Sequence, residues 1–254
     1  MAIRMILHAV GLLLRNIVPA LKVALVPMAL FWLVTAALSG AMGMYGMGLW
    51  AMGFGGSGGL AGSVMGSSAG LIFGVLSLVF EAWIGVNWFR WIFREEQPGW
   101  LPAFDWSLIS GYMWQLFLLG ILFLVLQFLY DAAIVPLVPY DMLGPLGFVL
   151  DVVVVAGAMA WGRLRLSVVL PAAALGRPLT LADAWQETRP QRFALIGVAV
   201  AGALGSLALI VAPVLLPAGF GFVSLSLVSA LSQMMSLAMV ATLYGVAVEG
   251  RRLR

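Results

Sequence analysis

Charge is what this sequence most lacks. Asp, Glu, Lys and Arg make up 9% of its 254 residues, where a soluble domain carries roughly 25%. So few charges cannot cover a body folded in water, whereas in lipid the outer surface should itself be apolar. Cysteine is absent. That excludes disulfides, iron–sulfur clusters and thiolate metal sites, and leaves the redox compartment open. Histidine occurs once, as His8, with no carboxylate or second histidine placed beside it for a metal site or a triad. Ser and Thr have no neighbouring base to activate them. The glycines from Gly53 to Gly62 lack the Gly-Lys-Ser/Thr ending of a phosphate loop. These gaps argue against an enzyme and against any metal or cofactor.

What is abundant is apolar, at 63% of the chain. A membrane helix needs about 20 such residues to cross roughly 30 Å of hydrocarbon. Six stretches qualify, at about 23–39, 71–93, 108–130, 146–170, 193–216 and 222–248. The third contains LFLLGILFLVLQFLY, and the fourth is interrupted by Asp151 and by Arg163 and Arg165. Six crossings put every Lys and Arg on one side: Arg4, Arg15 and Lys22; Arg90 and Arg94; Arg163, Arg165, Arg177, Arg189 and Arg192; Arg251, Arg252 and Arg254. Asp131 and Asp141 fall on the other side. Five or seven crossings would scatter the basic residues. Because positive residues stay in the cytoplasm during insertion, the expected protein is a multi-pass protein of a bacterial-type inner membrane with both termini cytoplasmic. Arg15 and Lys22 interrupt the first apolar run, so the N-terminal segment is expected to be retained rather than cleaved as a signal. The basic residues flank apolar segments and form no patch on a polar domain, which sets nucleic acid aside.

Two segments stand outside the spans. In residues 1–22, at about 100° per residue, Arg4, His8, Arg15 and Lys22 fall within about 40° of one another on a helical wheel. Ile3, Ile6, Val10, Leu13, Ile17 and Leu21 lie opposite. Such a helix either lies among anionic headgroups of the inner leaflet or packs on its neighbours as the start of the first span. The 40–69 outer loop is uncharged and rich in Gly, Met and aromatics. It opens a spacing of four, Gly58, Gly62, Gly66, Gly70 and Gly74. A bare stripe of this kind lets another helix approach closely; in so Gly-rich a loop the spacing can also arise by chance. If the stripe is real, the second helix begins before Leu71. Trp50, Trp88, Trp91, Trp100 and Trp106 fit interfacial anchoring.

The chain reads as three helix pairs, each with a lead-in: HAVGLLLRN at His8, FDWSLISGYMW at Phe104 and ADAWQETRPQRF at Ala182. The first two returning helices end in Trp88-Phe-Arg90 and Trp161-Gly-Arg163, with Tyr244-Gly a weaker third. The third lead-in, residues 178–192, is the best defined. Thr180 with Asp183 three residues on forms a capping box, and Leu181, Ala184, Trp185 and Thr188 follow helical spacing. Pro190 then stops the helix. This predicts an elbow: a short surface helix followed by a sharp turn into the bilayer, its arginines reaching for phosphates.

Two stretches, ILHAVGLLLRN and RLRLSVVLPAAALGRPLTLADAWQETRPQRF, resemble segments of a loose group of bacterial polytopic proteins. The group includes the membrane domain fused to some glycerophosphodiester phosphodiesterases and the YciC-like inner-membrane proteins. The resemblance implies an all-α six-helix bundle with amphipathic elbows on the cytoplasmic surface. It transfers no catalytic residue, because nothing in this sequence corresponds to the phosphodiesterase domain.

The acids inside spans are Glu81 and Asp151, with Glu249 near the last inner end. Counted at 1.5 Å per residue from Arg90 and Arg163, the first two differ in depth by only about 5 Å. No Lys or Arg lies at that depth, so each is expected to be protonated or bonded to Gln233, Gln115 or a hydroxyl. Such acids either line a proton or cation path or tie helices together. The favoured function is a single non-catalytic membrane domain acting by contact with lipids and with other membrane proteins or copies of itself. A small transporter using Glu81 and Asp151, and a lipid-handling protein, are the alternatives.

Overall fold

The computed structural model describes residues 1–41, 68–133, 157–202 and 221–251, with positions 144, 147, 154 and 155. The regular structure among them is helical. The helices are α1 (Ala2–Arg15), α2 (Ile17–Ala41), α3 (Ser68–Arg94), α4 (Trp106–Ala133), α5 (Gly157–Leu166), α6 (Val169–Ala174) and α7 (Leu181–Glu187). A 3-10 turn, Arg189–Gln191, leads into α8 (192–202), and α9 is Gly221–Ala247. Among the described residues, three stretches are long and apolar enough to cross a membrane: Ile17–Leu38, Ile72–Arg94 and Trp106–Ala133. The protein is all-α and of the membrane class.

Local chemistry sets the joints. The 1–22 segment breaks at Asn16, whose backbone leaves the helical region at φ −113°, ψ 28°. Its side-chain amide donates to the Leu12 carbonyl at 2.8 Å, an alternative to continued helix that Asn readily offers. Trp91 Nε1 donates to Asn16 Oδ1 at 3.3 Å and ties the joint to α3. Lys22 therefore belongs to α2. The second helix starts at Ser68, ahead of Leu71. The fourth apolar stretch does not run unbroken to Leu170. It turns at Ser167 and Val168, where the Ser167 hydroxyl donates to the Leu164 carbonyl at 2.8 Å.

The core gathers around α6, whose six residues are all buried, as a helix apolar all round must be. It packs on α3, α4 and α9, while α1 lies along α9 and α2 along α3. From α3 the core takes Ala82 to Val86 with Trp88 and Phe89; from α4, Ile109 and Tyr112; from α1, Met5, Ala9 and Leu13. Trp88 is 0% exposed, which corrects its reading as an interfacial anchor: it sits on the packed face of α3. Trp100 and Trp106 are exposed, Trp91 is half-buried, and Trp50 lies outside the described residues.

The three lead-ins differ. The first and third are separate helices, broken at Asn16 and at Thr188–Pro190. The second is continuous with its span from Trp106 to Ala133. Asp105 caps it, accepting from the Ser107 amide at 3.1 Å and the Ser107 hydroxyl at 2.7 Å. Nothing in FDWSLISGYMW stops a helix as Asn16 or Pro190 does.

Candidate functional site

The elbow after α5 is the most elaborated polar structure among the described residues. Gly176, at φ +71°, ends the α6 segment in the left-handed region that glycine alone enters cheaply. Thr180 then caps α7 as its spacing predicted. The Thr180 hydroxyl accepts from the Asp183 amide at 3.1 Å, and the Asp183 carboxylate accepts from the Thr180 amide at 3.2 Å and from its hydroxyl at 2.6 Å. These bonds, the side-chain one foremost, hold the Asp183 carboxyl below its ordinary pKa. The helix ends at Glu187, and Pro190 sits inside the 3-10 turn that redirects the chain into α8.

Arg165 holds this elbow against α5. It is 3% exposed. Its guanidinium stacks 3.4 Å from the Trp185 ring centroid and 5.1 Å from that of Trp161. It donates to the Trp185 carbonyl and, through Nε, to the Thr188 hydroxyl at 3.3 Å. Thr188 is buried, and its hydroxyl donates to the Ala184 carbonyl at 2.8 Å. Trp161 Nε1 donates to the Arg192 carbonyl at 3.0 Å. Arg165 thus joins α5 to α7, and Trp161 joins α5 to the start of α8. Sequence reading missed this, treating Arg163 and Arg165 alike; the signal was the Trp161–Arg165 spacing of four, one helical turn. Arg163, in contrast, is exposed. Arg189 and Arg192, the predicted headgroup arginines, are both exposed and share an open depression with Gln186, Pro190 and Phe193.

Of the N-terminal basic residues, Arg4, His8 and Arg15 share a face of α1 by their spacing, while Lys22 lies on α2 beyond the break; Arg4 and Arg15 are exposed and His8 and Lys22 half-buried. Lys22 Nζ lies 5.2 Å from the Trp100 ring centroid. The apolar side of the segment divides in two. Met5, Ala9 and Leu13 pack into the core, while Ile3, Leu7, Leu14, Val18, Leu21 and Leu25 stay exposed. One face of this helix thus lies against protein, and another, beside Arg4 and Arg15, is open.

Of the polar residues expected inside spans, Asp151 lies outside the described residues, and Glu81 and Gln233 are half-buried. Gln233 Nε2 is buried without a hydrogen-bond partner among the described residues. The neighbour that sequence did not foresee is Tyr112, 0% exposed and with an unpartnered hydroxyl. It fits because Gly85, one turn after Glu81, has no side chain: a Cβ there would stand 2.5 Å from the Tyr112 hydroxyl oxygen. Glu81 lies on the same helix one turn before this contact.

Of the glycine stripe, Gly58, Gly62 and Gly66 lie outside the described residues, as does most of the 40–69 loop. Gly70 is in the first turn of α3. A Cβ at Gly74 would meet no described atom within 4 Å. Close approaches occur elsewhere, at Gly85 against Tyr112, at Gly162 against Phe123 (3.2 Å) and at Gly197 against the Ala2 Cβ (2.8 Å).

The other conspicuous surface is on α4. Trp114, Phe117, Ile121, Leu124 and Phe128 are all exposed, at alternating spacings of three and four, so they form one stripe. No protein-family model, curated protein or solved structure matches this chain.

Proposed function

We propose that this protein works without catalysis, by contact within the membrane, as a scaffold, assembly factor or accessory subunit whose α4 seats a partner helix. The observation that carries this is the α4 stripe. Its residues Trp114, Phe117, Ile121, Leu124 and Phe128 follow the alternating spacing of a knobs-into-holes seam. Only 6% of the α4 span window is buried, against 44% for α3. The glycine stripe and the uncharged outer loop belong to the same reading as further contact surfaces. So does the expected setting: six crossings in a bacterial inner membrane, both termini cytoplasmic, in the arrangement of the polytopic group that the elbow resembles.

The native chain has no cysteine, so single cysteines along α4 can be cross-linked in intact membranes on a clean background. Adducts at Phe117, Ile121 and Leu124, with weaker ones at Val125 and Leu129, are expected. Their mass separates a second copy from another protein. Equal yields all round α4, or none, would remove the reading. The topology is checked separately with reporter enzymes after residue 50 and at the carboxyl end, which should report opposite compartments.

A second reading, a proton- or cation-coupled pathway, is favoured by one observation: the buried Tyr112 hydroxyl, without a partner among the described residues, stands against Gly85, one turn from Glu81. Glu81→Gln should then abolish flux in proteoliposomes while the protein remains folded; unchanged flux excludes it.

A further inference from the structure

The elbow depression has a volume of about 440 Å³ and is lined by Gln186, Arg189, Pro190, Arg192 and Phe193. Its charged groups are of one sign. Neither Arg189 nor Arg192 makes an ion pair among the described residues, whereas Arg90, Arg94 and Arg251 each pair with an acid. The charges of both also act on Arg165, which is locked between two indoles and cannot withdraw. The nearby acids give no relief: Asp183 is engaged in its own cap, and Glu187 is exposed and makes no salt bridge among the described residues. Three guanidiniums held together without a counter-charge form an incomplete electrostatic group that an anion would complete. The start of α8 at the same turn adds the positive end of a helix. Beside the charges the surface turns apolar. Phe193 is 72% and Ile196 45% exposed, three residues apart on α8, and the Arg192 guanidinium lies 4.7 Å from the Phe193 ring centroid.

We propose that this depression binds the phosphate of an anionic phospholipid, with Arg189 and Arg192 on the phosphate oxygens and Phe193 and Ile196 against the adjoining acyl chain. Free phosphate offers the same oxygens but has nothing to lay on Phe193 and Ile196. The site does not depend on the α4 seam, and either can fail alone.

The test is native mass spectrometry of the full chain in mild detergent, titrated with phosphatidylglycerol, phosphatidylcholine or inorganic phosphate. The expected result is retention of phosphatidylglycerol in preference to phosphatidylcholine, unaffected by excess phosphate. Arg189→Gln with Arg192→Gln should weaken it about thirtyfold, taking each basic residue near the headgroups at its usual worth. Arg189→Lys with Arg192→Lys, which keeps the charge and loses the fork, should lose only part of that. Arg4→Gln with Arg15→Gln, on the other basic stripe, should leave the bound lipid in place. Unchanged binding in the glutamine pair, equal retention of phosphatidylcholine, or loss of the lipid in the Arg4 and Arg15 pair would overturn the site. Displacement by inorganic phosphate would overturn its assignment to lipid.

Discussion

Helices α3 and α4 lie side by side, and the more apolar of the two is the less buried. The α3 span has a mean hydropathy of 1.6 and 44% of its window inside the protein; α4 has 2.1 and 6%. In water that order would be reversed. In lipid, apolarity does not favour a protein neighbour over a lipid chain, so hydropathy cannot say which face touches protein. Small and polar residues can. The packed part of α3 contains Glu81, Ala82, Gly85 and Asn87, and the exposed stripe of α4 contains only large apolar side chains. A helix that meets the α4 stripe must therefore pack by interdigitation of side chains, since the backbones cannot come close there.

The comparison is sharpest at Trp88 and Phe128. Trp88 is 0% exposed, Phe128 67%. Trp88→Ala should cost about 3–5 kcal/mol, the usual range for an aromatic removed from a core. Phe128→Ala should stay within about 0.5 kcal/mol in purified protein. Thermal unfolding in detergent measures both, and comparable losses would mean that the two helices are not packed differently.

Arg165 comes next, because one side chain of α5 holds α7 in place. Arg165→Ala removes a charge-assisted bond to the Trp185 carbonyl and two ring contacts, and leaves the buried Thr188 hydroxyl without that donor. A loss of about 2–3 kcal/mol is expected. Arg163→Ala, at an exposed site two residues earlier, should cost less than about 1 kcal/mol. If the pair respond alike in the same melts, the clasp has no special part in the fold.

Gly85 tests the α3–α4 contact itself. A Cβ there stands 2.5 Å and 2.6 Å from two Tyr112 atoms, so Tyr112 must move. Overpacking of this kind costs about 1–3 kcal/mol, from which alanine's better helix propensity recovers up to about 1 kcal/mol. Gly85→Ala should thus destabilise, and Tyr112→Leu should suppress part of that loss in a double-mutant cycle. Gly74→Ala, where no described atom lies within 4 Å, should be neutral or stabilising. Additive behaviour at Gly85 and Tyr112 would break the contact.

These residues also mark how far the sequence could be read. The membrane class and the whole elbow from Thr180 to Pro190 were legible, because each rests on a local rule: span length, capping and proline. The Arg165 clasp was not, since it depends on Trp185 folding back over α5, a contact set by tertiary geometry. Trp88 was misjudged for a related reason. Tryptophan serves equally at an interface and in a core, and Arg90 two residues on made the interface the natural reading. The partnership of Gly85 with Tyr112 joins two helices that share no local pattern. Asp151 and most of the glycine stripe lie outside the described residues.

The smallest effect belongs to the elbow cap, and it tests the exposed side of the comparison in water rather than in lipid. Thr180→Ala removes the hydroxyl that accepts from the Asp183 amide and should cost about 1 kcal/mol, the usual worth of an N-cap. The reciprocal half of the box titrates. Bonding to Thr180 holds the folded Asp183 carboxyl below its unfolded pKa of about 3.9. The cap's contribution is therefore complete above that value and is lost as pH falls through the lower, folded one. Between wild type and Asp183→Asn, the stability difference should be level near neutral pH and shrink only below about pH 4. A difference that already changes between pH 5 and 7 would have to come from another group, and the box would then add nothing to the elbow that the turn at Pro190 does not already provide.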